Sequence, residues 1–225
     1  MENLEKGILY IVATPIGNMG DITLRAIETL KDVDLILCED TRVTRKILDR
    51  YDIKTPTLSY HQHSKIKRID EIKERLIGGE NMALVTDAGT PGISDPGNIL
   101  VKDVVDRGIK VVPIPGASAL GALISVSGID MQKFIFLGFP PHKKGRQTFF
   151  TEVINFNYPV IYYDSPHRFL KNLELLKELG YNKNIIVGRE LTKMFEEVVR
   201  GNADEVTEYF SRKEKIKGEL VVILG

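Results

Sequence analysis

The chain has 225 residues, enough for one large domain or two small ones with a substantial core. Hydrophobic residues make up 43% and charged residues 28%, the ordinary balance of a soluble globular protein. Lysine plus arginine equals aspartate plus glutamate at 31 each, which excludes a global field toward nucleic acid or membrane and leaves that work to local patches. Cys38 is the single cysteine, so an internal disulfide is excluded, and its place in an apolar run predicts a buried thiol. No stretch reads as a signal peptide or as an apolar run of membrane-spanning length, and a cytoplasmic location is expected.

Ile8–Val12 reads as a first strand, followed by a glycine-bearing loop from Thr14 to Asp21. Asp21 is placed to cap a helix that carries Leu24, Ile27 and Leu30 on one face. The glycines of this loop do not spell G-x-G-x-x-G and Pro15 interrupts it, so a nicotinamide dinucleotide is not expected. Asp34–Cys38 is the next strand, ending in the polar cluster Glu39-Asp40-Thr41-Arg42. A helix with Ile47, Leu48 and Tyr51 follows, then a strand near Thr57–Tyr60. Lys65–Ile77 places Ile66, Ile69, Ile72 and Leu76 on one helical stripe, closed by Gly78-Gly79.

Met82–Thr86 is a short apolar strand, and it opens into the loop Asp87–Gly97, in which three glycines and two prolines surround Asp87, Thr90, Ser94 and Asp95. Prolines set φ and glycines let backbone approach a ligand closely, so this loop is the expected small-molecule site. Ser94 or Asp95 is expected to cap the helix after it, and a side chain at Gly89 is expected to enter ligand space while leaving the fold intact. A helix with Leu100, Val101, Val104 and Val105 leads to a strand at Ile109–Pro113. Alternation of this kind predicts a parallel sheet covered on both faces, with the loops after residues 12, 38 and 86 converging on one crevice.

Pro113–Ala119 is the expected hinge, before a small-residue helix with Leu120, Leu123 and Ile124. Lys133–Phe139 reads as an aromatic strand and His142–Arg146 as a basic loop. A helix with Phe149, Phe150, Val153 and Ile154 comes next, then a strand at Pro159–Tyr163. Asp164–Arg168 caps a helix with Leu170, Leu173, Leu176 and Leu179, ended by Gly180. Ile185–Arg189 is a strand, Phe195–Arg200 is compatible with strand or helix, and Gly201-Asn202 reads as a turn. A short helix with Val206, Tyr209 and Phe210 and a last strand at Leu220–Leu224 complete the chain.

No metal site is expected: His61 and His63 lack a cysteine or carboxylate at ligand spacing. There is no G-x-S-x-G elbow and no phosphate-binding Walker loop. Three polar clusters, Glu39–Arg42, Asp164–Arg168 and Arg189–Lys193, each follow an apparent strand, which suggests a shared polar wall facing an anionic or highly polar substrate. Basic spots at Arg42-Arg45-Lys46, Lys65-Lys67-Arg68 and Lys143-Lys144-Arg146 are further places to seat phosphate.

The runs ATPIGNMGDITLRA (Ala13–Ala26), CEDTR (Cys38–Arg42), DAGTPGISDPG (Asp87–Gly97), PGASA (Pro115–Ala119), SPHR (Ser165–Arg168), RELTK (Arg189–Lys193) and EEVVRG (Glu196–Gly201) resemble the ribosomal RNA small subunit methyltransferase I family of the tetrapyrrole methylase superfamily. The resemblance implies a two-domain α/β fold: a mostly parallel sheet with helices on both faces in residues 1–114, a mixed sheet in 115–225, and the cofactor in a cleft between them. It implies S-adenosylmethionine as cofactor, 2′-O-methylation of a cytidine ribose in the decoding region of 16S rRNA, the small ribosomal subunit as partner, and a homodimer. Carried over by position, the cofactor contacts are Pro15, Gly17, Asp87, Gly89, Thr90, Pro91, Ile93, Ser94, Asp95, Ala117, Ser118, Tyr163, Glu219 and Leu220. A glutamate is expected where Asp164 stands. Members often continue past the segment matching Gly218–Gly225, and without that extension RNA binding is expected to lean on the basic spots.

Methyl transfer is an in-line displacement, so the protein mainly aligns the nucleophile and excludes water, and a ribose hydroxyl gains from a proton acceptor. Glu39, Asp40, His167, Glu190 and Lys193 are the catalytic candidates, and Arg42, Arg168 and Arg189 are the expected phosphate contacts. The alternatives are a tetrapyrrole C-methyltransferase of the same fold and a non-catalytic ribosome-binding module.

Overall fold

A computed structural model describes residues 6–61, 66–95 and 97–225, with backbone only at Ile66; His63, Lys65 and Pro96, which figured in the expectations above, lie outside the described residues. The chain divides into two units, Met1–Ser118 and Ala119–Gly225.

In the first unit the elements alternate: β1 (Ile8–Val12), α1 (Leu24–Asp32), β2 (Leu35–Cys38), α2 (Thr41–Arg50), β3 (Thr57–Ser59), α3 (Ile66–Ile77), β4 (Met82–Leu84), α4 (Asn98–Asp106) and β5 (Lys110–Ile114). The strands pair in the order β3-β2-β4-β1-β5, and every pairing is parallel. A parallel sheet buries both faces, and the core divides accordingly. Leu9, Leu37, Met82 and Leu84 pack with Ile72, Leu76, Leu100 and Val104 of α3 and α4 on one face. Val12, Ile36, Ala83 and Val85 pack with Ala26, Leu30 and Leu48 of α1 and α2 on the other. Cys38 is buried in this second layer, where desolvation pushes its thiol up.

The second unit holds α5 (Ala119–Ser127), β6 (Ile135–Phe136), α6 (Arg146–Ile154), β7 (Val160–Asp164), α7 (Phe169–Glu178), β8 (Ile185–Arg189), β9 (Glu197–Gly201), α8 (Ala203–Ser211) and β10 (Leu220–Leu224). Its sheet is mixed, in the order β6-β7-β10-β8-β9; β6 and β7 are parallel and the other pairings antiparallel. Because β7 and β8 both run opposite to β10 between them, the carboxyl ends of β6, β7 and β8 lie along one edge. Phe150, Tyr162, Phe169, Phe210 and Val222 form the core with α6, α7 and α8.

Several local expectations are corrected. Thr23, not Asp21, caps α1 by accepting from the Ala26 amide, while Asp21 closes a separate 3-10 turn at Met19–Asp21. Leu24 is therefore displaced from the inner face and is exposed. Neither Ser94 nor Asp95 caps α4, whose N-cap is Gly97 with no side-chain hydrogen bond; Ser94 instead takes a left-handed φ of 65°. The aromatic strand shrinks to Ile135–Phe136, because Gly138 at φ 64° turns the chain out of the ladder and two prolines follow. Of the ambiguous Phe195–Arg200 segment, residues from Glu197 onward enter strand β9, which runs to Gly201 along the free edge of β8, while Phe195 and Glu196 stay outside it. Asn202 is the N-cap of α8, in a capping box with Glu205.

Candidate functional site

In the first unit the loops behind β1, β2 and β4 are drawn together at the carboxyl edge of the sheet. Thr14 and Gly89 exchange both backbone hydrogen bonds, at 2.9 and 3.0 Å, and the Thr14 hydroxyl donates to the Thr86 carbonyl at 3.1 Å. The Asp40 amide donates to Asp87 Oδ1 at 3.1 Å, which ties the second loop to the third. Thr90 Oγ1 donates to the Ala117 carbonyl at 3.2 Å, bringing the chain after β5 to the same place. Pro15 and Pro91 are buried, Gly17 and Gly92 are exposed, and Ile93 and Ser118 are half-buried. Behind the loop, Thr90, Pro91 and Gly92 roof an apolar cavity of about 360 Å³ over Ile11, Leu84 and Val111. Gly92 has φ 87° and nothing within 4 Å of where a Cβ would stand, so its backbone is open to a partner.

Carboxylates crowd this edge. Burial, then the charges of Glu39 and Asp87, push Asp95 up to about 6, against the opposing Thr86 hydroxyl. Burial and the Asp87 charge likewise raise Glu39. Asp40 behaves differently. It caps α2 by accepting from the Arg42 amide at 2.8 Å and holds the Arg42 guanidinium through Nε and Nη2, and these bonds lower it to about 2. Asp40 is therefore a cap and an ion-pair partner, and Arg42, with its side chain 88% exposed, lies open to solvent beyond it.

In the second unit the two remaining clusters follow β7 and β8 at one sheet edge, and most of their charges answer each other. Asp164 is buried, accepts from Asn172 Nδ2 and from the Ser165 amide at 2.7 Å, and is raised by burial against those bonds. Arg168 Nη1 donates to the Pro140 carbonyl at 3.0 Å, and His167 is exposed. Tyr163 is half-buried with its ring edge-on to Phe136.

Arg189 is engaged throughout: Nε pairs with Glu197, Nη1 donates to the Lys217 carbonyl at 2.9 Å and Nη2 to the Phe195 carbonyl at 3.2 Å. The planar fork of Arg189, expected to meet phosphate, is thus filled from within the unit. Glu190 and Lys193 are likewise paired. Lys193 Nζ donates to Glu190 Oε1 at 2.8 Å and to Glu219 Oε2 at 2.9 Å. Burial raises Glu190, but Lys193 and the Glu219 amide outweigh it and hold it below its ordinary value. Burial lowers Lys193, and its two carboxylate partners outweigh that in turn. A lowered acid and a raised base are poor proton carriers near neutrality. The Glu219 amide donates to Glu190 Oε1 at 3.0 Å, so that backbone donor is engaged, and Leu220 enters the ladder opposite Asp164 and Arg189.

Three residues were not singled out by the sequence. Thr14 lies inside a motif but its β-branched side chain reads as packing. Gly218 makes room for Glu190, whose Cδ would stand 2.3 Å from a Cβ there. Glu197 gathers Arg189, Lys213 and the Tyr209 hydroxyl. Among the described residues no group of three His, Cys, Asp or Glu is placed to hold a metal ion, and no helix is long and apolar enough to cross a membrane.

This architecture, a parallel α/β unit followed by a mixed one, is that of the tetrapyrrole methylases, whose family model matches residues 8–207. Among the solved structures that share the fold are two methyltransferases. Cobalt precorrin-4 methyltransferase superposes with a TM-score of 0.68 at 13% identity, over 96% of this chain and 94% of that one. Uroporphyrin-III-C-methyltransferase from Thermus thermophilus superposes at 0.65 and 16%, over 97% and 94%. Much nearer in sequence are proteins named ribosomal RNA small subunit methyltransferase I. That of Synechocystis sp. is 46% identical over 221 residues, 97% of this chain and 79% of the relative. That of Mesorhizobium japonicum is 44% identical over 219 residues, 96% and 74%. That of Thermotoga maritima is 43% identical over 219 residues, 97% and 98%. The chain belongs to the tetrapyrrole methylases and, within them, to the ribosomal RNA small subunit methyltransferase I family.

Proposed function

We propose that this chain transfers a methyl group from S-adenosylmethionine to the 2′-hydroxyl of a cytidine ribose in the decoding region of 16S rRNA, as a cytoplasmic homodimer. The observation that carries the reading is the carboxylate-lined edge where the Thr14–Gly89 clasp holds the first and third loops together. The residues fit the cofactor's charge. Burial and the Asp87 charge raise the cost of ionising Glu39, burial and the charges of Glu39 and Asp87 raise that of Asp95, and a ligand bearing a sulfonium and an ammonium relieves it. Pro15, Gly17, Asp87, Gly89, Thr90, Pro91, Ile93, Ser94, Asp95, Ala117 and Ser118 are the proposed contacts in this unit.

The bound cofactor supplies an electrophilic methyl group on sulfur. The chain's own contribution is to orient the ribose, exclude water and accept the hydroxyl proton. Of the five proton-carrier candidates, Asp40, Glu190 and Lys193 are held by ion-pair partners, which leaves Glu39 and His167. Glu39 is the proposed acceptor, since burial and Asp87 move it toward neutrality while it remains half-open to a substrate. Arg42 is the proposed phosphate contact of this unit.

The test is transfer of labelled methyl from the cofactor into small ribosomal subunits lacking the modification, beside a porphyrinogen. Label is expected in the ribose of one cytidine, where alkali then fails to cleave. Alkaline cleavage at the labelled nucleotide, or label in the porphyrinogen alone, rejects the reading. Stoichiometric cofactor binding by calorimetry separates it from a non-catalytic ribosome-binding module.

A further inference from the structure

The loop between β6 and α6 has a composition unlike the rest of this balanced chain. Between Asp130 and Glu152 there is no carboxylate, while Lys133, Lys143, Lys144 and Arg146 are all present. Lys143 and Lys144 are exposed and form no ion pair with any described residue. In the same loop Phe139 is 55% exposed, a large apolar ring left in water.

That ring is held in place. Its centroid lies 5.4 Å from that of Tyr163, which in turn sits edge-on to Phe136 at 5.1 Å. The backbone below it is fixed by the Leu137 amide on Ile161 O at 3.0 Å and the Tyr163 amide on Gly138 O at 2.8 Å. Pro140 and Pro141 stiffen the chain after it, and Arg168 Nη1 binds the Pro140 carbonyl, so the loops behind β6 and β7 are joined at the same sheet edge. One aromatic ring is thus anchored against Tyr163 and still more than half exposed, in a loop that also carries unpaired cations.

We infer that Phe139 with Lys143 and Lys144 forms a contact surface for unpaired RNA, the ring stacking on a splayed nucleobase and the two lysines meeting adjacent phosphates. Every base offers a π-face and every nucleotide a phosphate, so an exposed aromatic ring and unpaired ammonium groups in one loop match single-stranded RNA. The loop itself carries no carboxylate to repel phosphate. In this arrangement Arg168 is a positioning residue, acting through the Pro140 carbonyl. The inference rests on the rRNA reading above and names which surface of the second unit grips the substrate.

The test measures KM and kcat on small ribosomal subunits, and affinity for a labelled single-stranded RNA oligonucleotide, in Phe139→Ala, Phe139→Trp and the double variant Lys143→Ala/Lys144→Ala. Phe139→Ala is expected to raise KM and weaken oligonucleotide binding roughly five- to a hundredfold, with kcat and cofactor affinity little changed. Phe139→Trp is expected to keep the wild-type KM. The double lysine variant is expected to flatten the dependence of log K on log salt by about 1.4, from two single-strand phosphate contacts at ~0.7 each. Wild-type KM and salt slope in both the Phe139→Ala and the double lysine variants overturn the inference, as does a change in self-association with RNA binding intact. If the wild-type chain transfers no methyl to subunits yet loses oligonucleotide affinity on Phe139→Ala, the methylation reading fails and the RNA surface stands.

Discussion

Thr14 and Gly89 hold each other by both peptide groups, each donating its amide to the other's carbonyl, and the Thr14 side chain reaches the Thr86 carbonyl as well. The loop behind β1 is thereby closed onto the loop behind β4, between adjacent parallel strands. Gly89 is buried at φ 82°, where a β-branched residue is strained whatever space surrounds it.

Gly89→Val is therefore expected to cost about 1–3 kcal/mol of stability in addition to its effect on cofactor binding. This corrects the expectation that the fold would be untouched. Urea unfolding of the ligand-free chain checks it, and a wild-type midpoint would show that the clasp tolerates the change.

The pH dependence of the ligand-free protein carries the mark of Asp95. Its folded value, about 6, lies above the ordinary 3.8, so between these values the folded state holds the proton more tightly than the unfolded chain. Its contribution is present at low pH and is lost as the pH rises toward about 6. The stability gap between Asp95→Asn and wild type is expected to widen in favour of the variant across that interval and then stay constant. A cationic ligand prefers the ionised form, so wild-type affinity for S-adenosylmethionine is expected to climb as the pH passes through about 6 and to do so less in Asp95→Asn. Unfolding curves and calorimetry at a series of pH values read both; parallel curves for the two proteins would remove Asp95 from the account.

Arg189→Ala leaves Glu197 half-buried and short of one partner and frees the carbonyls of Phe195 and Lys217. A loss on the order of 3 kcal/mol in unfolding free energy is expected. The salt dependence of RNA binding by the folded variant is expected to match the wild type. A shallower salt slope with unchanged stability would return Arg189 to the RNA.

Gly218→Ala sets a methyl group 2.3 Å from Glu190 Cδ at a backbone φ of 91°. The variant is expected to lose about 1–3 kcal/mol, and adding Glu190→Ala is expected to recover part of it by clearing the collision. Strictly additive losses in the double variant would show that the two residues do not press on each other.

What the sequence determined by itself is whatever depends on spacing along the chain. Alternating apolar runs and helical stripes placed nearly every element and made the first sheet parallel, since a strand, helix, strand order with short links allows little else. The glycine- and proline-bearing runs carried the family, and the switch to a mixed second sheet came with them. The choice of partner for each polar group was not legible, because any of several neighbours satisfies the same local pattern. Thr23 and Asp21 are both good caps, and the packing of Leu30 and Ala26 selects Thr23. Arg42, Arg168 and Arg189 look alike behind their strands. Only the folded chain separates the one open to solvent beyond its Asp40 partner, the one on the Pro140 carbonyl and the one enclosed by Glu197 and two backbone carbonyls. Asp95 likewise owes its altered proton affinity first to burial and then to the charge of Glu39, which is 56 positions away in sequence and near it only because β2 and β4 pair. Tertiary structure decided these matters because electrostatic and hydrogen-bond partners are chosen by distance in space.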